Sequence, residues 1–147
     1  MYRKILAVAF GTDLSIKAVK EAARLAQGLA AELFVLHVRS PLDVPHHVEG
    51  GALSRAGAQT MAAEIDQEER KFFEGVVELA SSAGIEVQSG YVADLSPYKA
   101  IIRVAQEQHC DLIVMGTRIR HGIPGYFVKS ETQKVLAHTD IPVVVVR

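Results

Sequence analysis

The chain has 147 residues, 49% of them hydrophobic and 22% charged, the proportions of one ordinary globular domain able to bury a layered core. A formal net charge of −1 gives no global basic field of the kind a nucleic-acid binder needs, and no apolar run approaches the roughly 20 residues of a membrane span. The single cysteine, Cys110, excludes an internal disulfide and a cysteine-rich zinc site, and fits a buried structural thiol in a reducing cytoplasm.

In chain order, "YRKILAVAF" reads as a fully buried strand, short, apolar and bounded by Gly11. It begins within the first few residues, so no signal peptide is expected and the chain is expected to be complete. "TDLSIKAVKEAARLAQGLA" follows, with Ile16, Val19, Ala22, Ala23, Ala26 and Leu29 at helical spacing and Asp13 or Ser15 as candidate caps. "ELFVLHV" is a second buried strand. The stretch from Ser40 to Gly57, with two prolines and a Gly-Gly pair, predicts a loop. A long helical pattern runs to about Ala83, where Gly84 is placed to end it in a left-handed conformation. "IEVQSGYV" alternates enough to predict a more exposed strand. Ser96 and Pro97 open another helix as N-cap and first-turn proline. Then come the apolar strand "DLIVMG", a basic loop, a helix from about Ser130 to His138, and the last strand "PVVVV".

Five strands with four intervening helical segments predict one α/β domain over residues 1–147, a parallel sheet with helices on both faces. Such a sheet binds ligands beyond the carboxyl ends of its strands, where the strand order reverses. If the first and fourth strands flank that crevice, its walls are Val8 to Thr12 and Met115 to Gly122. The loop in "MGTRIRHGIPGYFVKSETQKVL" then faces the turn after the first strand, and a helix begins where a phosphate would sit.

Several sharper chemistries are absent from the sequence. The turn after the first strand, "AFGTDLS", has one glycine where a dinucleotide-binding turn has three. There is no Walker-type loop and no G-x-S-x-G elbow. His46 and His47 lie with Asp43 and Glu49 in a solvated loop rather than in a metal-ligating pattern, so no metal is expected. His109 and His138 each fall near a helix C-terminus, where a partly charged imidazole meets the dipole favourably. Nothing pairs a nucleophile with an evident base, so no enzyme is expected.

Taken together, "KILAVAFGTDLSIKAVKEAARLA", "DLIVMGTR" and "SETQKVLAHTDIPVVVVR" resemble the universal stress protein family over the whole chain. The resemblance implies a five-stranded parallel Rossmann-like sandwich of order 3-2-1-4-5. It also implies a cytoplasmic homodimer paired through the last strand, Val143, Val144, Val145 and Val146. ATP-binding members of the family carry the loop G-x-x-G-x9-G-[ST] and an aspartate at the end of the first strand. Gly116 matches the first glycine and Ser130 the closing Ser/Thr, but Ile119 and Lys129 replace the other glycines and Phe10 stands at the aspartate position. A β-branched residue does not cheaply adopt the φ > 0 that glycine allows, Lys129 adds a side chain where an amide would face phosphate, and Phe10 removes an acceptor.

The resemblance is therefore closer to the branch lacking the glycine motif. It implies a non-enzymatic stress-response or signalling dimer with a possible protein partner and with neither a nucleic-acid nor a membrane partner. Its degenerate pocket would be formed by Val8, Ala9, Phe10, Val38, Met115, Gly116, Thr117, Arg118, Arg120, Lys129, Ser130 and Glu131. The alternative is a module that still takes an adenine nucleotide (ATP, AMP or cAMP) or another phosphorylated ligand. Arg118, Arg120, His121 and Lys129 would then grip phosphate, with Phe10 stacked on the base.

Overall fold

The computed structural model describes residues 1–10, 13–39, 55–117 and 131–147, with side chains for all of these except 13, 14 and 55–66. The strands are β1 (Lys4–Ala9), β2 (Glu32–Arg39), β3 (Val87–Ala93), β4 (Leu112–Gly116) and β5 (Val143–Val146). The helices are α1 (Asp13–Leu29), α2 (Arg55–Ser81), α3 (Pro97–Glu107) and α4 (Glu131–His138). All four strand pairings are parallel and the order is β3-β2-β1-β4-β5, as the resemblance implies.

The continuous apolar runs of β1, β2 and β4 follow from this order, because strands inside a parallel sheet are covered on both faces. On one face Ile5, Ala7, Ala9, Leu33, Val35, Leu112 and Val114 pack against α1 and α2 through Val19, Ala22, Ala26, Val76 and Ala80. On the other, Leu6, Val8, Phe34, Leu36, Val38, Ile113 and Met115 meet Ile101 and Ala105 of α3 and Val135 of α4. The alanines of α1 leave little side chain between helix and sheet, so its backbone lies close over β1 and β4. β3 is an edge strand and alternates in exposure, as its sequence pattern predicts. Gly90 in β3 leaves room for the ring of Phe34: an added Cβ would stand 2.8 Å from the ring's Cζ.

The helix ends depart from the local signals in instructive ways. α2 ends as predicted, with Gly84 left-handed at φ 74° and its amide on the Ser81 carbonyl at 3.1 Å. α1 and α3 make the same turn without glycine. Ala30 stands at φ 52° and His109 at φ 55°, and the amides of Ala31 and Cys110 return to the carbonyls of Ala26 and Ala105 at 2.9 and 2.8 Å. Ser15 is not a cap. It lies inside α1, buried, and its hydroxyl accepts the Phe10 N–H at 2.7 Å. Ser96 holds the N-cap position of α3 with Pro97 at N1, but its side chain makes no capping bond. Among the described residues no helix is long and apolar enough to cross a membrane.

Candidate functional site

β1 and β4 are neighbours, with Ile5, Leu6 and Ala7 in register with Leu112, Ile113 and Val114. Their connections leave in opposite directions, β1 into α1 on one face and β4 toward α4 on the other. The crevice at their carboxyl ends is therefore the switch point where an open parallel sheet takes a ligand.

The alternation of the strands sorts the sequence-predicted positions. Val8, Val38 and Met115 share the α3/α4 face and are fully or almost fully buried, forming the floor beneath the strand ends. Phe10, half-buried, packs against this same cluster. Ala9 is not with them, because its side chain points into the α1/α2 layer. Gly116 ends β4 and Thr117 follows it, and both spend polar groups within the fold. The Thr117 amide donates to the Val146 carbonyl at 2.9 Å, while the Gly116 carbonyl accepts the Thr132 hydroxyl at 2.9 Å. Arg118, Arg120, Lys129 and Ser130 lie outside the described residues, as do Ile119 and His121 of the same loop and His46, His47, Asp43 and Glu49 of the earlier one.

Two contacts that sequence reasoning missed fix the surroundings. The first is Ser15, whose hydroxyl occupies the Phe10 amide, so the amide just past β1 is satisfied within the chain. The second is Glu131. One carboxylate oxygen accepts the backbone N–H of Tyr98, in the first turn of α3, at 2.9 Å, and the other accepts the Lys134 ammonium at 3.0 Å. Helix starts leave orphan amides, and a carboxylate there is favoured by both the hydrogen bond and the dipole. Tyr98 in turn sits in a basic surrounding, with the Lys99 and Lys134 ammoniums 6.0 and 5.8 Å from its ring centre and the His138 ring at 5.0 Å. His138 donates from Nδ1 to the Lys134 carbonyl at 2.8 Å, the helix-end role its position predicts. No short-range motif announces the Glu131 contact, since its partner lies on a different helix; the only sequence signal is an acidic residue at the predicted start of α4.

The Asp94 carboxylate organises the turn into α3, accepting the Ser96 amide at 2.8 Å and facing Arg103 at 3.9 Å. Cys110 lies away from the crevice, after α3. Burial pushes its thiol up to about 11, which keeps it protonated and unreactive at neutral pH. Among the described residues no group of three or more His, Cys, Asp or Glu side chains is placed to hold a metal ion.

The sequence profile of the universal stress protein family matches residues 1–147. The universal stress protein YxiE of Bacillus subtilis is 30% identical over 149 residues, with all of both chains covered. Among solved structures, a universal stress protein in complex with cAMP has a TM-score of 0.72 at 22% identity, covering 99% of this chain and 97% of its own. The universal stress protein from Archaeoglobus fulgidus in complex with dAMP has a TM-score of 0.64 at 20% identity, covering 100% and 98%. Fold, strand order and sequence agree: the chain belongs to the universal stress protein family.

Proposed function

We propose that this chain is a non-enzymatic, cytoplasmic stress-response or signalling protein that works as a homodimer on a protein partner, with a pocket closed to ATP in the glycine-loop mode. The packing of Phe10 against the Val8, Val38 and Met115 cluster carries this reading, because it puts an aromatic ring where the ATP-binding members place a carboxylate acceptor. The absence of a nucleophile paired with a base in the sequence, and the protonated, buried Cys110, support a non-catalytic role. The direct test is release of ligand from purified protein by denaturation, followed by absorbance and mass spectrometry, with titration calorimetry against Mg-ATP alongside. No bound ATP and no micromolar affinity are expected. Micromolar binding of Mg-ATP overturns the reading.

A second reading is supported by the relatives solved with cAMP and dAMP. A mononucleotide needs no seat for β- and γ-phosphates, so the exchange of glycine for Ile119 and Lys129 costs it less, and its base can stack on Phe10. The same calorimetry with AMP and cAMP separates the two readings. Binding of either, lost in Phe10→Ala, favours the second.

A further inference from the structure

β2 is an apolar run with an imidazole near its carboxyl end. His37 is 2% exposed and falls on the α1/α2 side of the sheet, in step with Leu33 and Val35. In register it stands between Ala9, the last residue of β1, and Tyr91 on the edge strand β3. Its ring stacks on Tyr91 with centroids 4.9 Å and planes 20° apart, and meets Phe73 of α2 at 5.2 Å and 53°. Nδ1 is buried, and no hydrogen-bond partner reaches it among the described residues.

This surrounding accepts a neutral ring with its proton on Nε2. An empty lone pair on Nδ1 is tolerable, whereas a protonated Nδ1 is a buried donor with nothing to receive it. Among the described residues, the groups around the ring do not rescue the cation. Arg39 follows two residues along β2 and repels it. Glu69 of α2 is held as counter-ion to Arg39, its carboxylate 3.7 Å from the guanidinium. β3 offers Tyr91, and the described α1 residues packed in this layer, among them Val19, Ala22, Ala23 and Ala26, are uncharged. The faces of Tyr91 and Phe73 attract a cation only weakly. Burial first, and Arg39 second, hold the His37 pKa below its usual 6.5.

We propose that His37 is an acid-sensitive pin for the seat of α2. Proton uptake breaks the fit of Phe73 and Tyr91 around the ring and loosens α2 from the β2–β3 side of the sheet. The sign follows from linkage. Below pH 6.5 the unfolded chain binds a proton that the folded chain refuses, so the stability present in full above 6.5 is lost as pH falls toward the lower folded value, and then levels off. Acidification of the cell interior thus acts on this part of the fold without any ligand, next to the strand end that floors the crevice.

The test is urea unfolding of the full chain and of His37→Phe at steps from about pH 7.5 to about pH 5, with titration of the His37 ring by NMR in the folded wild type. The other five histidines, His46, His47, His109, His121 and His138, are common to both proteins, so the difference between their curves isolates His37. The wild-type midpoint is expected to fall on acidification, and a clear part of that fall is expected to be absent from His37→Phe. The amides of α2 residues 67–81 should lose exchange protection before those of β1 and β4. Equal pH dependence in the two proteins, or a folded-state ring titrating at or above 6.5, overturns the proposal. If His37→Phe does not fold, His37→Gln replaces it and the ring titration of the wild type still decides.

Discussion

Glu131, the first residue of α4, accepts the backbone amide of Tyr98, in the first turn of α3, at 2.9 Å. Two helices on one face of the sheet are thereby tied at their amino ends, beside the crevice where β1 and β4 stop. The contact substitutes for the capping bond that Ser96 does not make, and with Thr132 on the Gly116 carbonyl it fixes the start of α4 at two points. Glu131→Ala leaves the Tyr98 amide without its charged acceptor and is expected to lower stability by about 1 kcal/mol, in the range of lost caps. Glu131→Gln keeps an acceptor oxygen and should lose less than half of that. Urea midpoints of the two variants check the order, and equal losses would show that charge rather than the hydrogen bond matters here.

The pocket account is tested by restoring what the sequence has lost. Phe10→Asp, Ile119→Gly and Lys129→Gly together are expected to raise affinity for Mg-ATP by at least about tenfold, equivalent to about 1.4 kcal/mol. Calorimetric titration reads this directly. No gain in a variant that still folds means that the exchanged residues are not what closes the pocket.

These two cases show where the sequence was informative and where it was silent. The strands are legible because burial on both faces leaves unbroken apolar runs such as Ile5 to Ala9 and Leu112 to Met115. The end of α2 is legible because Gly84 is the residue a left-handed turn favours. Ser15 has the chemistry of a cap in sequence, but its hydroxyl reaches back from within the helix to the Phe10 amide just past β1. Glu131 and Tyr98 are 33 positions apart, and only the packing of α3 on α4 brings them together. In sequence His37 is one more residue of a buried strand; its ring partners on β3 and α2 come from other elements. Local pattern encodes local structure; the contacts that shape the site are mostly between elements.

Ala30 provides a stability prediction free of any functional assumption. It is left-handed at φ 52°, a conformation in which its Cβ crowds the backbone at a cost of roughly 1–2 kcal/mol. Ala30→Gly removes the strain and gives back part of the gain as chain entropy in the unfolded state, for a net increase of about 0.5–1 kcal/mol. Thermal and urea unfolding should both move upward. An unchanged or lower midpoint would mean that the Ala30 methyl makes a contact worth as much as the strain.

The last prediction concerns β5, the edge strand opposite β3. The carbonyls of Pro142 and Val146 accept the amides of Ile113 and Thr117, each at 2.9 Å, so every second residue of the strand spends its polar groups on β4. By this alternation Val144 also faces β4, and Val143 and Val145 direct their amides and carbonyls away from it. Val145 is 36% exposed as well, an apolar side chain beside an open ladder, which is the kind of edge that pairs with another chain. A twofold mate running antiparallel would satisfy both at once, with the same valines meeting on each side. The interface proposed for the dimer therefore has an internal control. Val145→Pro removes an outward amide and is expected to give a folded monomer, whereas Val144→Pro cuts the β4–β5 ladder and should cost about 3 kcal/mol or more of fold stability. Sedimentation at micromolar concentration, with circular dichroism to confirm folding, tells these outcomes apart. A monomeric wild type, or a Val145→Pro variant that remains a dimer, would place the contact between protomers somewhere other than this edge.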